Sequence, residues 1–376
     1  MKIHGAVLHA MGAATPYAQS KPLAIEAVEL DAPGPGEVLV QIAAAGLCHS
    51  DLSVINGDRP RPTPMLLGHE AAGIVEATGA GVEDLKRGDH VVMVFVPSCG
   101  HCAPCAEGRP ALCEPGAVAN TAGTLLSGSM RLHRNGQPLY HHLGCSAFAE
   151  YATVSRRSLV KIDPELSLSE AALFGCAVLT GVGAVVNTAK LAMGQTAAVI
   201  GLGGVGLAAV LGAVCAGAGR IVAIDLADDK LQLAKSLGAT DCFNAASESI
   251  VDEVKAATRG GVDFAMEFAG SVKGMELAYK ITRRGGTTIS AGLPPPTHML
   301  QVPHVNMVAE ERTIKGSYIG TCVPVRDLPR YIALYQQGRL PVDKLLSGRL
   351  KLEEINLGFD LLREGKAVRQ VVEFAH

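Results

Sequence analysis

One short segment carries four cysteines at a spacing suited to a metal ion. Cys99, Cys102, Cys105 and Cys113 form the pattern C-x2-C-x2-C-x7-C, while the other six cysteines are scattered along the 376 residues. Four thiolates from one loop match a closed, tetrahedral structural zinc site with no ligand position left for a substrate. Disulfides are the alternative, but two-residue separations strain such bridges. We therefore predict a structural zinc, with His101 as a bystander.

A second pattern is rich in glycine. Gly201, Gly203, Gly204 and Gly206 lie in GLGGVG, which fits G-x-G-x-x-G, between an apolar strand-like run and an alanine-rich helical run. Such glycines allow a tight turn, close approach of the backbone to a pyrophosphate, and close packing of helix on strand. Asp225 ends the next strand-like run. Its carboxylate suits a ribose diol and repels a 2′-phosphate, so NAD is predicted over NADP; the alternative for Asp225 is a strand-end cap.

Three further side chains of metal-binding type are far apart in the sequence. Cys48 opens the segment CHSD, His69 lies in GHE, and Cys176 lies in GCAVLTGVG. Taken singly each is ambiguous, because an isolated cysteine in an apolar stretch is usually a small core residue. Together they supply two thiolates and one imidazole, the donor set of a catalytic zinc site that keeps one position open.

Two kinds of element must position these groups. Residues 1–177 contain short β-branched runs between Gly- and Pro-rich turns, which predicts a β-rich, barrel-like domain. In residues 178–320 strand-like and helical runs alternate, which predicts a Rossmann-type, doubly wound parallel sheet. Residues 321–376 are too few for a domain and are predicted to complete the first one. The predicted fold class is therefore α/β.

Composition excludes several classes of protein. Hydrophobic residues make up 48% and charged residues 18%, which excludes a disordered chain. A net charge of −3 offers no basic surface for nucleic acid. Residues 197–219 carry no charge and are long enough to span a bilayer, but their glycines indicate a buried strand, turn and helix. With no export signal at the N-terminus, we expect a cytoplasmic protein that binds neither nucleic acid nor membrane.

The chain resembles the zinc-dependent medium-chain alcohol dehydrogenases along essentially its whole length. The resemblance rests on GLCHSDLSVING, GHEAAGIVEATGAGVEDLKRGDHVV, the four-cysteine loop, FAEYATV, GCAVLTGVGAV, GLGGVG with Asp225, and FDLLREGKAVR. Residues 117–145 resemble the longer, dimeric class I/III-like branch. The resemblance implies a GroES-like catalytic domain, a Rossmann NAD-binding domain, one catalytic and one structural Zn²⁺ per chain, and a homodimer.

The resemblance also implies catalytic roles. The catalytic zinc would be bound by Cys48, His69 and Cys176. Glu70 would lie behind the metal, and Ser50 would take the alcohol proton. Many relatives end the proton relay on a histidine three residues beyond this serine. Here that position is Ser53, which is not a base near neutral pH, so bulk water is the expected acceptor. Asp51 is expected only to form a hydrogen bond at a strand end.

Further residues are implied at the cofactor and the substrate. His49 and Arg369 would contact the pyrophosphate of NAD, and Lys230 would contact its adenosine ribose. Thr180 and Val205 would contact the nicotinamide. The substrate pocket would be an apolar slot with one aromatic wall, lined by Phe95, Val118, His142, Leu143 and Leu293.

The implied activity is reversible, NAD-linked oxidation of an alcohol to an aldehyde or ketone. The pocket suits medium-chain, aromatic or terpenoid primary alcohols, and Ser50 in place of a threonine leaves room for secondary ones. One alternative is oxidation of S-hydroxymethylglutathione, but that class carries an arginine where this chain has Ala117, and acidic residues where Arg59 and Arg61 stand. A second alternative is a non-catalytic NAD-binding protein of the same fold.

Overall fold

The structure is a computed structural model that describes residues 1–375. The chain divides into two compact units: residues 1–176, 323–332 and 342 onward form the first, while Ala177–Cys322 and Ala333–Pro341 form the second. The tail was expected to return whole to the first unit, and residues 333–341 depart from that expectation. Within the second unit the thiol of Cys215 donates a hydrogen bond to the carbonyl of Arg339 at 3.0 Å.

Strands and helices are numbered along the chain. The strands are β1 (Lys2–Leu8), β2 (Leu23–Leu30), β3 (Glu37–Gly46), β4 (Met65–Leu66), β5 (Glu70–Thr78), β6 (His90–Met93), β7 (Leu132–Arg134), β8 (Gln137–His141), β9 (Tyr151–Ser155), β10 (Leu159–Lys161), β11 (Thr196–Ile200), β12 (Arg220–Asp225), β13 (Asp241–Asn244), β14 (Val262–Glu267), β15 (Thr282–Ser290), β16 (Thr313–Gly316), β17 (Leu346–Leu350) and β18 (Arg369–Glu373). The α-helices are α1 (Tyr17–Ser20), α2 (His49–Ile55), α3 (Ala103–Ala106), α4 (Glu114–Ala122), α5 (Leu168–Ala172), α6 (Ala177–Gly183), α7 (Gly204–Cys215), α8 (Asp228–Ser236), α9 (Ile250–Thr258), α10 (Val272–Ile281), α11 (His304–Ala309), α12 (Pro324–Gln336) and α13 (Ile355–Arg363). A π-helix, Ala184–Ala189, follows α6.

The first unit is mainly β-structure, as predicted. Strands β1, β2, β7, β8 and β4 close into a barrel around an aliphatic core that includes Ile3, Val7, Val28 and Leu66. A second sheet has the order β10-β6-β5-β3-β18-β17, and β9 also pairs with β3. Because β18 comes from the C-terminal tail and pairs with β3, the tail completes the sheet that leads into the segment of Cys48.

The second unit is a six-stranded parallel sheet in the order β13-β12-β11-β14-β15-β16. Numbered within the unit, this order is 3-2-1-4-5-6, the arrangement of doubly wound dinucleotide-binding domains. One buried cluster joins Ala198, Val222 and Ala265 of the strands to Val254 and Ala278 of α9 and α10. The predicted Rossmann-type fold is confirmed, and its ligand edge is the one at the carboxyl ends of the strands.

The uncharged run at residues 197–219 belongs to this sheet. It folds as β11, the glycine-rich turn and α7, as the sequence predicts, and most of its apolar side chains are buried. Val205 is half-buried and Val214 is 43% exposed. No single helix in residues 1–375 combines the length and the apolar composition needed to cross a membrane. Two consecutive helical segments, Leu168–Gly175 and Ala177–Ala189, reach that length and apolar composition only when they are counted together, and the chain bends by 51° between them.

Candidate functional site

Four buried side chains from distant parts of the sequence meet in the first unit. Cys48 precedes α2, His69 and Glu70 stand at the start of β5, and Cys176 ends the segment after α5. Their ligand atoms all lie within 4.8 Å of one another. The sheet explains the meeting, because Gly46 at the end of β3 pairs directly with Glu70. A Cβ at Gly46 would lie 2.8 Å from Oε1 of Glu70, so only glycine leaves room for this carboxylate.

Asp51 orients the imidazole of this cluster. Nδ1 of His69 lies 3.1 Å from Oδ1 of Asp51, and both side chains are fully buried. A hydrogen on Nδ1 bound to the carboxylate leaves the lone pair on Nε2, the arrangement that positions a metal-binding histidine. Nε2 has no hydrogen-bond partner among residues 1–375. This orphaned nitrogen beside the thiols of Cys48 and Cys176 fits a zinc ion.

The other oxygen of Asp51 holds the first cysteine. Oδ2 accepts a hydrogen bond from the backbone N–H of Cys48 at 3.1 Å, and the two residues form a capping box at the start of α2. Our expectation of a strand-end role for Asp51 was wrong, because the residue lies in the first turn of a helix. The signal available in the sequence was the C-x-x-D spacing, which matches that of a capping box.

The electrostatics of the cluster favour a cation. The hydrogen bond with Cys176 holds the pKa of the Cys48 thiol well below its usual range despite burial, and Arg369 and His69 lower this pKa further. Burial by itself would lower the pKa of His69, but Asp51 and Cys48 raise it well above its usual value. A thiolate beside a protonated imidazole is the charge pattern that a divalent cation replaces, with release of the proton, when it binds.

An ion pair lies beside these ligands. Nη1 of Arg369 is 3.3 Å from Oε2 of Glu70 and donates to the carbonyl of Leu47 at 3.2 Å. Burial raises the pKa of Glu70 to about 7, although the guanidinium opposes this shift. Glu70 therefore lies next to the candidate ligands Cys48, His69 and Cys176, while the side chain of Arg369 faces Glu70. The predicted contact of Arg369 with a pyrophosphate stays a prediction.

The residues predicted for the proton relay, and most of those predicted for the substrate pocket, belong to this unit. His49 and Ser50 open α2, the first exposed and the second half-buried. Ser53 donates its hydroxyl hydrogen to the carbonyl of His49 at 2.8 Å, an internal bond of the helix. The rings of Phe95 and His142 stand edge-on to His69, with centroids 5.3 and 5.5 Å away.

The remaining residues predicted for the pocket differ in exposure. Leu143 is buried next to His142 and has a left-handed backbone with φ of 51°. Val118 is 69% exposed on α4, and Leu293, in the second unit, is 54% exposed. The structure thus brings Phe95 and His142 to the cluster and leaves Val118 on the surface of α4, where its contact with a substrate stays a prediction.

The four-cysteine loop forms a separate cluster. The sulfur atoms of Cys99, Cys102, Cys105 and Cys113 lie within 4.8 Å of one another, and these residues alone form the set. Nδ1 of His101 lies 3.1 Å from the carbonyl oxygen of Cys99, so this ring is engaged with the backbone. The arrangement fits four thiolates around one ion, with His101 outside the ligand set.

Backbone N–H groups point at these sulfurs. Those of His101 and Cys102 donate to Sγ of Cys99 at 3.5 and 3.3 Å, and that of Cys99 donates to Sγ of Cys113 at 3.1 Å. The N–H of His101 is the main reason why the pKa of Cys99 falls to about 6. Burial raises the pKa of Cys105 to about 12, so the loop also contains a thiol that must lose its proton to bind zinc.

In the second unit the glycine motif forms the turn that a dinucleotide requires. Gly201 has φ of 87°, and a Cβ there would lie 2.7 Å from the nitrogen of Ala269. A Cβ on Gly206 would lie 1.9 Å from the carbonyl oxygen of Gly201. Gly203, by contrast, faces open space just before Gly204 begins α7. This open cradle at a helix N-terminus fits a pyrophosphate.

Asp225 ends β12 beside this turn. Its Oδ2 accepts from the backbone N–H of Leu202 at 2.6 Å, and its Oδ1 accepts from that of Ala227 at 3.0 Å. Each carboxylate oxygen has a second lone pair, so two acceptor positions remain for ribose hydroxyls. Lys230 follows in the first turn of α8 and is half-buried. The geometry agrees with a ribose-binding carboxylate as well as with a loop-fixing cap.

The residues predicted at the nicotinamide lie on two closely packed helices. Thr180 lies on α6 and Val205 on α7, and both are half-buried. Gly181 brings these helices together, because a Cβ at this position would lie 2.2 Å from the carbonyl oxygen of Val205.

Comparison with known proteins agrees with both units. Residues 34–164 match the family model of the alcohol dehydrogenase GroES-like domain, and residues 204–337 match that of zinc-binding dehydrogenases. The chain is 41% identical over 364 residues to "Putative alcohol dehydrogenase D" of Mycobacterium tuberculosis, covering 96% of this chain and 98% of that protein.

Solved structures share the whole architecture. An alcohol dehydrogenase zinc-binding domain protein from Burkholderia ambifaria is 35% identical with a TM-score of 0.94, and benzyl alcohol dehydrogenase from Acinetobacter calcoaceticus is 32% identical with a TM-score of 0.93. Each similarity covers 100% of both chains. The chain therefore belongs to the zinc-dependent, medium-chain alcohol dehydrogenase family.

Proposed function

We propose that this protein is a zinc-dependent, NAD-linked dehydrogenase that interconverts small alcohols with aldehydes or ketones. The observation that carries the proposal is the buried set of Cys48, His69 and Cys176, with Nε2 of His69 lacking a partner among the described residues. Glu70 is paired with Arg369, so the three ligands can leave a fourth position to a substrate.

Different side chains have different roles in this reaction. When bound, zinc supplies the Lewis acidity that lowers the pKa of an alcohol, and NAD accepts the hydride. Asp51 keeps the hydrogen of His69 on Nδ1 and so keeps Nε2 available as a ligand. Ser50 takes the alcohol proton and passes it outward. The hydroxyl of Ser53 is engaged within α2 and is not a base near neutral pH, so bulk water receives that proton.

The choice of NAD follows from the end of β12. Asp225 carries a negative charge where a 2′-phosphate would lie, and the next residues, Leu226 and Ala227, bring no cation. We expect Asp225→Gly to raise the rate with NADP relative to NAD by about tenfold, since one close repulsion is worth about 1.4 kcal/mol. An unchanged ratio would remove Asp225 from this role.

A homodimer in the cytoplasm completes the proposal. Strand β16 ends the parallel sheet with an exposed edge, and the unpaired N–H and C=O groups of such an edge are available to pair with another chain. Val305 and Val308, on the preceding helix α11, are also exposed. All ten cysteines lie within the described residues and none forms a disulfide, which suits a reducing compartment.

The substrate we propose is an aromatic or medium-chain primary alcohol. The ring of Phe95 lies beside that of His69, and Leu143 is a buried apolar side chain next to His142. A structurally similar protein is a benzyl alcohol dehydrogenase. The position where the S-hydroxymethylglutathione class carries an arginine is Ala117, exposed on α4. That thiol adduct and terpenoid or secondary alcohols are therefore the comparison substrates.

The test is a survey of NAD-linked rates with zinc analysis of the same samples. We expect turnover of benzyl alcohol and hexanol, little turnover of formaldehyde with glutathione, and two zinc ions per chain. Activity confined to the glutathione adduct would replace the proposed substrate class. A protein without activity, whose single zinc is lost on mutation of the Cys99–Cys113 loop, would contradict the enzyme assignment.

A further inference from the structure

A buried carboxyl group lies at the ligand edge of the parallel sheet. Glu267 is the last residue of β14 and is only 1% exposed. It pairs with Ile200 of β11, the residue that precedes the glycine turn. Strands β11 and β14 flank the point where the strand order of this sheet reverses, and ligands of doubly wound sheets bind at that point. Glu267 is therefore buried beside the predicted cofactor site.

The segments on either side hold this side chain in place. The backbone N–H of Ser271 donates to Oε1 of Glu267 at 3.1 Å. A Cβ at Gly292 would lie 2.6 Å from Oε2, so only glycine leaves room for the carboxylate on that side. A Cβ at Gly274, in the first turn of α10, would lie 3.4 Å from Oε1. The carboxylate thus also lies beside a helix N-terminus, where a negative charge is stabilised.

The charge of Glu267 has no cationic partner. Among residues 1–375 no lysine, arginine or histidine forms an ion pair with it. Burial raises the pKa of Glu267, while the N–H groups of residues 269–271 oppose this shift because they bind the ionised form. Asp263, at the other end of the same strand, is instead paired with Arg283 at 2.7 Å. A buried charge left without a counter-ion at a ligand edge is a candidate for a role toward the ligand.

We propose that the carboxylate of Glu267 makes the cofactor site prefer oxidised NAD⁺ over reduced NADH. The two forms carry the same diphosphate, but only the oxidised nicotinamide ring is positively charged. A buried negative charge at this edge stabilises the charged ring more than the neutral one, because little solvent screens it. NADH, the product of alcohol oxidation, is then retained less tightly than NAD⁺. The inference rests on the NAD site of the proposed function.

A carboxylate that only fixed the turn after β14 would behave differently. This turn contacts the glycine motif, because a Cβ at Gly201 would lie 2.7 Å from the nitrogen of Ala269. The N–H of Phe268 also donates to the carbonyl of Ile200 at 2.8 Å. Displacement of the turn would weaken the binding of NAD⁺ and NADH alike, since both place a pyrophosphate at the glycine motif. Loss of the charge alone would change the ratio of the two affinities.

The experiment measures the Kd of NAD⁺ and the Kd of NADH by calorimetry on the full-length, zinc-loaded protein. Glu267→Gln and Glu267→Met are two neutral variants of similar length, so a folding defect in one leaves the other to be measured. Glu267→Asp keeps the charge on a shorter side chain. Asp263→Asn is the control, because it removes a charge from the amino end of the same strand, where Arg283 neutralises it. Circular dichroism shows which variants are folded.

We expect the ratio of the Kd of NAD⁺ to that of NADH to rise about three- to tenfold in both neutral variants, the effect of one partly screened charge. In Glu267→Asp and Asp263→Asn the ratio is expected to stay within about twofold of the parent. An unchanged ratio in the neutral variants, even with both affinities lowered, would overturn the inference and leave Glu267 a role in the turn alone. An equal rise in Glu267→Asp would overturn it too, since that variant keeps the charge.

Failure of the proposed function would look different. If the folded parent binds neither NAD⁺ nor NADH, the cofactor assignment fails, and the role of Glu267 fails with it. If the parent binds both forms and all variants show the same ratio, only the role of Glu267 is wrong.

Discussion

The two clusters of candidate metal ligands in the first unit are built in opposite ways. The loop cluster takes all four sulfurs from residues 99–113, and three of its cysteines are only half-buried. The inner cluster takes its groups from three distant segments, at residues 48, 69–70 and 176, and every member is buried. Backbone N–H groups surround the first, whereas the carboxylates of Asp51 and Glu70 accompany the second.

The difference separates stability from chemistry. Four thiolates saturate a tetrahedral ion, and fixed backbone donors hold the thiolate charge, so the loop cluster has no means of binding a substrate. The inner cluster has three candidate ligands, beside which lie the carboxylates of Asp51 and Glu70. We therefore expect substitution of a ligand in the inner cluster to abolish turnover while the protein stays folded. Substitution of a ligand in the loop cluster is expected to destabilise the fold of a protein whose inner cluster is intact.

The largest expected effect is on turnover. Replacing Cys176 with alanine removes one of the three ligands, and we expect kcat/KM to fall by at least about 10³-fold because several kcal/mol of Lewis-acid stabilisation are lost. Zinc content is expected to drop from two to one per chain, with the circular dichroism spectrum unchanged. Cys145→Ala is the control, since this thiol is buried but belongs to neither cluster. Equal activity of the two variants would refute the catalytic assignment.

Substitution of a cysteine in the four-cysteine loop is expected to have a smaller effect, which is to shorten the time for which the enzyme stays active. Cys105→Ala removes one thiolate of the closed site, and loss of a structural metal belongs to the strongly destabilising class of changes. We expect the half-life of activity at elevated temperature to shorten by roughly tenfold or more, while initial kcat/KM at low temperature stays within about twofold. Cys242→Ala, at a thiol outside both clusters, serves as the control. An immediate loss of turnover in Cys105→Ala would mean that the loop takes part in chemistry.

The same contrast explains what the sequence could predict. The loop cluster is local, so its spacing alone indicates the four ligands and leaves His101 outside. The glycine turn is also local: its position between β11 and α7 follows from the pattern of apolar runs, and the positive φ of Gly201 follows from the motif. In both cases a short stretch of chain determines the geometry, and no long-range packing is needed.

The inner cluster could be predicted only as a set of residue types. That Cys48, His69 and Cys176 meet depends on the pairing of β3 with β5 and on the route of the chain before α6, neither of which spacing reveals. The role of Asp51 could not be predicted because it depends on two contacts, with the backbone N–H of Cys48 and with Nδ1 of His69. The second contact forms only when α2 packs beside the start of β5. The placement of His142 beside His69 depends on a left-handed loop that no residue type in that segment announces.

The smallest expected effect tests how rigid the loop cluster is. Gly100 has φ of 86°, and a Cβ there would lie 3.3 Å from Nη2 of Arg157; Gly108, in the same loop, has φ of 76° and open space around it. We expect Gly100→Ala and Gly108→Ala each to cost about 1 kcal/mol, since both force an L-residue into the left-handed region. Only Gly100 lies between Cys99 and Cys102, so only Gly100→Ala is expected to speed zinc release, by roughly threefold, which is about 0.6 kcal/mol. Chelator kinetics on both variants measure this, with kcat/KM unchanged, and equal release rates would show that the ligand geometry does not depend on this turn.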